Sequence, residues 1–284
     1  MPVKKDASGR RSVEVETEVP GTPEEVWQAI ATGPGISAWF VPAKLEERDG
    51  GAIVMDFGPG MESKSVITAW DPPRRFAAEN KDGMGPGSPS MATEWTVEAK
   101  SGGTCRVRVV HSWFASTDDW DNEFEGVEKG WPAFFRILKI YLAHFRGQAS
   151  DVIPLMAMGS GSKSAAWDRL LGSLGFARLA EGQRVETAPG APRLAGIVER
   201  VVDKEHEELF VRLEEPTSGV AHFLPVVMGN QVCLSVRLYL YGAQARAVAA
   251  REAPAWQAWI NGLLPPADHV PSGDAATESE ATKG

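Results

Sequence analysis

Residues 101–145 read SGGTCRVRVVHSWFASTDDWDNEFEGVEKGWPAFFRILKIYLAHF, and the fold turns on them. Ser101-Gly102-Gly103 is a hairpin turn signal. After it, Cys105, Val107, Val109, His111 and Trp113 share one face of a long strand. Thr104, Arg106, Arg108 and Ser112 take the other face, with Val110 and Phe114 as apolar exceptions. The stretch then changes period. Trp131, Phe134, Phe135, Leu138, Tyr141, Leu142 and Phe145 recur at helical spacing and form a broad apolar stripe. Pro132 either opens this helix or kinks it.

Upstream, Val13, Val15, Thr17 and Val19 alternate with Glu14, Glu16 and Glu18, which predicts a strand with one buried face. Thr22-Pro23-Glu24-Glu25 is a capping box with proline in the first turn. The helix it opens offers Val26, Trp27 and Ile30 to a core and is stopped by Gly33-Pro34-Gly35. Short strands are expected at Ala52–Phe57, Lys64–Trp70, Arg74–Glu79 and Thr93–Ala99. Downstream the order repeats more loosely. A helix with Trp167 comes first, then strands at 183–187, 194–202, 208–213, 220–228 and 231–241, and a helix over 244–264 with Pro254 inside it. Both halves run short helix, strands, aromatic-bearing helix, which reads as an internal duplication.

The chain has 284 residues, 43% of them hydrophobic and 24% charged, so each half has material for a core. Its net charge of −9 works against nucleic acid or an anionic membrane as partner. The two cysteines, Cys105 and Cys233, build neither a disulfide framework nor a four-ligand zinc site. They read as buried thiols in a reducing, cytoplasmic setting. No run approaches a membrane span, and no phosphate loop, dinucleotide fingerprint or nucleophile elbow occurs, so no cofactor is expected. The expected division is a disordered arm over 1–12, a domain over 13–147, a linker over 148–163, a second and divergent domain over 164–264, and a disordered tail over 265–284.

The first half resembles the homologues of the activator of the ninety-kilodalton heat-shock-protein ATPase, within the SRPBCC (START-like, birch-allergen-like) superfamily. The resemblance rests on Thr22 to Trp27, Trp39-Phe40, Gly50-Gly51, Trp70-Asp71-Pro72-Pro73-Arg74-Arg75-Phe76, Gly102-Gly103-Thr104, His111, Phe114, Gly130-Trp131 and Leu138 to Leu142. It implies an α+β helix-grip fold, a curved antiparallel sheet wrapped around a long C-terminal helix. Many members hold an apolar ligand between sheet and helix, and a minority are cyclases or dehydratases. The second half shares only the overall pattern.

The cavity-lining residues expected on this basis are Trp27, Trp39, Met55, Trp70, Trp95, Val107, Val109, His111, Trp113, Trp131, Phe134, Phe135 and Leu138. Large aromatics either plug such a space or line a pocket. His111 faces the helix by strand parity, as a catalytic or ligand-orienting imidazole or as a hydrogen-bonded core histidine. Asp118, Asp119, Asp121, Glu123 and Glu125 lack the glycine turn of a calcium loop and read as solvated acids near a helix start. The glycines around Met84 suit a flap. Three functions are weighed: binding a small apolar or amphipathic ligand, a co-chaperone-like protein interaction, and a cyclase or dehydratase using His111. The first leads, because no second catalytic group is visible beside His111.

Overall fold

The computed structural model describes residues 4–6, 9–58, 60–81, 88–114, 121–202 and 207–265, apart from the side chains of residues 114 and 121–129. The chain builds two antiparallel sheets, each pairing its unit's first long strand with its last. In unit 1 the elements are β1 (Lys4–Lys5), β2 (Arg10–Pro20), α1 (Pro23–Ile30), α2 (Gly33–Ser37), β3 (Ala43–Leu45), β4 (Ala52–Asp56), β5 (Glu62–Asp71), β6 (Arg75–Asn80), β7 (Met91–Ala99), β8 (Thr104–Phe114) and α3 (Asp121–His144). The eight strands lie in the order β1-β2-β8-β7-β6-β5-β4-β3. A register shift at Ile67/Ala69, between β5 and β6, adds local twist to the sheet. The capping box forms as expected: the Glu25 amide donates to Thr22 Oγ1 at 3.3 Å and the Thr22 amide to the Glu25 carboxylate at 2.8 Å.

Unit 2 comprises β9 (Ser150–Gly159), α4 (Lys163–Leu174), β10 (Arg184–Glu186), β11 (Ala195–Val202), β12 (Glu208–Glu215), β13 (Gly219–Met228), β14 (Gln231–Tyr241) and α5 (Ala245–Asn261). Its sheet runs β10-β11-β12-β13-β14-β9. Gly21 and Gly161, with φ of 125° and 121°, each precede a helix cap, Thr22 and Ser162. Aligning the caps places Ser12 with Val152 and Val13 with Ile153. Through the pairings Val13 to His111 and Ile153 to Leu238, it also places His111 with Leu238. The tandem helix-grip architecture is thus carried by strand pairing as well as by sequence pattern.

The two units stack in layers: sheet, α3, sheet, α5. On one side α3 gives Trp131, Phe135, Leu138 and Leu142 to sheet 1, all buried. On its other side it meets the outer face of sheet 2, whose Phe210, Val220, Tyr239 and Tyr241 belong to the core of unit 1. Tyr239 donates to the Phe40 carbonyl at 3.0 Å and Tyr241 to that of Ala38 at 2.8 Å. Arg136 of α3 lies 5.7 Å from the Phe210 ring, and Arg237 of β14 lies 5.3 Å from the Phe134 ring, so each unit lends an arginine to the other's aromatic. The inner face of sheet 2 closes over α4 and α5, with Trp167, Leu170, Trp256 and Ile260 in its core.

Three boundary expectations are corrected. Within 148–163, read as linker, Ser150–Gly159 is strand β9, paired along its length with β14. Ile153, Leu155 and Ala157 alternate inward, and Pro154 is tolerated because β9 is an edge strand whose position 154 turns its missing N–H outward. Within the expected arm 1–12, β2 already begins at Arg10, Arg11 is buried, and Lys4–Lys5 pair with Arg11 and Ser12. Gly9, at φ 82°, lets the chain fold back there. Of the expected tail, Pro265 still accepts a hydrogen bond from the Ser160 amide, while 266–284 lie outside the described residues. Pro132 sits inside α3 and Pro254 inside α5.

Candidate functional site

The inner face of sheet 1 and the underside of α3 bring most of the expected lining together. Val107, Val109 and Leu138 are fully buried, and around them the rings meet one another. Trp27 packs edge-on against Trp70 at 5.0 Å and Phe76 at 5.7 Å. Phe76 stacks at 6.2 Å on Trp95, which meets Trp131 edge-on at 5.2 Å, and Trp131 lies 5.3 Å from Phe135. Trp39 is pinned by its indole N–H to the Ala29 carbonyl at 2.9 Å. The floor of the grip is therefore plugged by aromatics in offset and T-shaped contacts.

From this floor a line of rings leads outward. Phe40 stacks on Trp131 at 5.3 Å and meets Phe134 edge-on at 4.5 Å and Phe57 at 5.7 Å. Phe57 is 45% exposed and Met61 54% exposed, at the turn joining β4 and β5. Met55 and Phe134 are partly buried against the same core. Trp113, placed with the lining by parity, stands apart: it packs with Val13, Val15 and Met91 in a small cluster of its own. Phe40 and Phe76 were absent from the expected lining, although Trp39-Phe40 and the segment ending in Phe76 carried the resemblance.

His111 is buried on the face the strand parity assigned to it. The Trp131 indole N–H donates to His111 Nε2 at 2.9 Å, and Thr93 Oγ1 lies 2.9 Å from Nδ1. Nε2 must therefore keep its lone pair, which puts the proton of the neutral ring on Nδ1, donating to the Thr93 hydroxyl. Burial lowers the imidazole pKa from its ordinary 6.5 to about 4. Both nitrogens are occupied and the ring is neutral, so His111 orients Trp131, with which it stacks at 5.6 Å.

Cys105 and Cys233 are buried thiols whose pKa values are raised chiefly by desolvation; Cys105 donates to the Gly21 carbonyl at 3.3 Å. Asp118, Asp119 and Met84, and the side chains of Asp121, Glu123 and Glu125, lie outside the described residues. Among the described residues no group of three or more His, Cys, Asp or Glu could hold a metal. No described helix is long and apolar enough to cross a membrane.

Residues 20–143 match the family described as Activator of Hsp90 ATPase homolog 1-like protein. No curated protein matches the chain. Among solved structures, CalU16 from Micromonospora echinospora is 19% identical over 50% of this chain and 83% of its own, with a TM-score of 0.40. The di-domain ARO/CYC BexL of the BE-7585A biosynthetic pathway is 16% identical over 89% of this chain and 98% of its own, with a TM-score of 0.43. DynU16, from the dynemicin biosynthetic locus, is 19% identical over 88% and 96%, with a TM-score of 0.41. These likenesses are distant, and the architecture above rests on the chain's own strand pairing. By its motifs, its gripped helix and the family match, the segment 20–143 is similar to the family described as Activator of Hsp90 ATPase homolog 1-like protein.

Proposed function

We propose that unit 1 binds a small hydrophobic or amphipathic ligand at the outer end of the grip, against Phe40, Phe57, Met61, Trp131 and Phe134. The observation that carries this reading is the ring line running from the plugged floor to the exposed Phe57 and Met61. Exposed aromatic and thioether surface continuous with a core is a place where an apolar molecule gains by leaving water. His111 contributes by holding Trp131 in place. A cyclase or dehydratase role is disfavoured, since the lone pair a general base would use already accepts the Trp131 N–H.

The test is thermal unfolding of the full chain with 1-anilinonaphthalene-8-sulfonate, palmitate and 2-naphthol. A bound ligand at a hundred times its Kd stabilises by about 2.7 kcal/mol and raises Tm accordingly. Phe57→Asp and Met61→Asp should each abolish that shift. No shift with any of the three ligands would sink the proposal.

A second reading, protein interaction, draws on unit 2, where Met156, Met158 and Met228 are 47%, 42% and 49% exposed.

A further inference from the structure

The outer face of sheet 2 changes character along its strands. At one end Phe210, Val220, Tyr239 and Tyr241 belong to the core of unit 1. Towards the other end the same parity carries Cys233 on β14, Met156 and Met158 on β9, and Met228 on β13. Met158 lies directly opposite Cys233. Met156 pairs with Ser235 and Met228 with Gln231, so each stands one strand over from Cys233 and two residues along. Directly opposite residues bring their Cβ atoms to about 5 Å and diagonal ones to about 7 Å, within the span of long side chains. The register therefore gathers one thiol and three thioethers on a single patch.

Burial orders these sulfur groups. Cys233 is buried, whereas Met156, Met158 and Met228 stay about half exposed. An ion arriving from solvent meets the thioethers first and the thiol beneath them. Desolvation raises the Cys233 pKa, while the nearby Arg237 charge and the Ala157 backbone favour its thiolate. Cys105 has no such company: it sits between Val19 and Ala99 on the inner face of sheet 1. Nitrogen and oxygen ligands do not enter the patch, which separates it from a zinc or calcium site.

We propose that Cys233, Met158 and the flanking Met156 and Met228 bind one soft monovalent metal ion, Cu(I), on the outer face of sheet 2. Thiolate and thioether sulfur select Cu(I) over the harder divalent ions. On binding, the Cys233 S–H bond breaks, its proton passes to water, and the sulfur lone pair bonds the metal with no change of oxidation state. Met158 supplies the second bond and the flexible diagonal methionines close the coordination. The site lies in unit 2, is independent of the ligand reading of the grip, and gives the exposed methionines a use other than a protein partner.

The test is an anaerobic titration of the full chain with Cu(I) held by the chromophoric chelator ferrozine. The wild type should withdraw one Cu(I) per chain, and about a hundredfold excess of Zn(II) should not displace it. Cys233→Ala should weaken binding by about a hundredfold or more. Met158→Leu, and separately Met156→Leu with Met228→Leu, should each weaken it by about tenfold; leucine keeps the volume of methionine and so keeps the fold. Cys105→Ala should bind as the wild type does. No withdrawal of Cu(I) by the wild type, or displacement by Zn(II), would overturn the proposal. So would unchanged affinity in Met158→Leu, which would leave a bare thiol only, or a loss that follows Cys105 instead of Cys233.

Discussion

His111 is held neutral in the core by Trp131 and Thr93, and that has a measurable acid signature. Its pKa in the folded chain, about 4, lies below the ordinary 6.5, so between these values the unfolded chain binds the extra proton. Stability is therefore full above about pH 6.5 and falls as pH drops towards 4, by about 3 kcal/mol from this residue. His222, also buried with a lowered pKa, adds a loss of the same sign. Urea unfolding from pH 7 to 4 should show His111→Leu losing about 3 kcal/mol less than the wild type over that range. At neutral pH the same variant should be destabilised by about 1–3 kcal/mol, because the Trp131 N–H and the Thr93 hydroxyl lose their partner. Leucine itself is a shape this fold accepts, since Leu238 occupies the equivalent place in unit 2. The face on which His111 lies was legible from alternation in β8. Its partners were not: the register that sets Thr93 opposite His111 joins two strands, and neither strand's own pattern encodes it. Trp113 shares the same parity but packs with Val13, Val15 and Met91 in a separate cluster, so parity alone could not exclude it.

Among the elements, the start of α1 was readable to the residue because a capping box is a local signal, whereas its end was not: α1 stops at Ile30, and Gly33-Pro34-Gly35, expected to end it, open α2 behind the cap Thr32. Thr22→Ala should cost about 1 kcal/mol, seen as a lower urea midpoint with unchanged slope. β14, too, matches its expected bounds, 231–241. β9 was hidden by its company: Pro154 and the run Gly159-Ser160-Gly161-Ser162 look like breakers, although Ile153, Leu155 and Ala157 alternate cleanly. Glycines at 159 and 161 serve different needs. Gly161 supplies a positive φ before a cap, whereas a Cβ on Gly159 would lie 2.5 Å from Leu264 and from the Pro265 carbonyl. The basic arm was misread for the opposite reason, since charge suggested solvent while pairing to β2 needed only the turn at Gly9.

At the level of the whole molecule, duplication was legible but the seam was not. Tyr239 and Tyr241 fall on the face of β14 that alternation assigns to solvent, yet both are buried beneath unit 1. Burial raises the Tyr239 hydroxyl pKa to about 12, so it stays a donor to Phe40 at any ordinary pH. Tyr239→Phe with Tyr241→Phe removes two buried hydrogen bonds and should cost about 1–3 kcal/mol. Because Phe210, Val220, Tyr239 and Tyr241 join the core of unit 1, calorimetry should record one transition for the whole chain. Two resolved transitions would contradict that shared core.

With a sheet against either flank, α3 leaves only a narrow stripe through Pro132, Lys139 and Ala143 to solvent along its C-terminal half. A guest wedged beneath it could not lift the helix without prying Arg136 off Phe210 and Phe134 off Arg237 as well. Occupancy of the first grip would then be opposed by the glue between the halves, so weakening that glue from the far side would make room for larger guests.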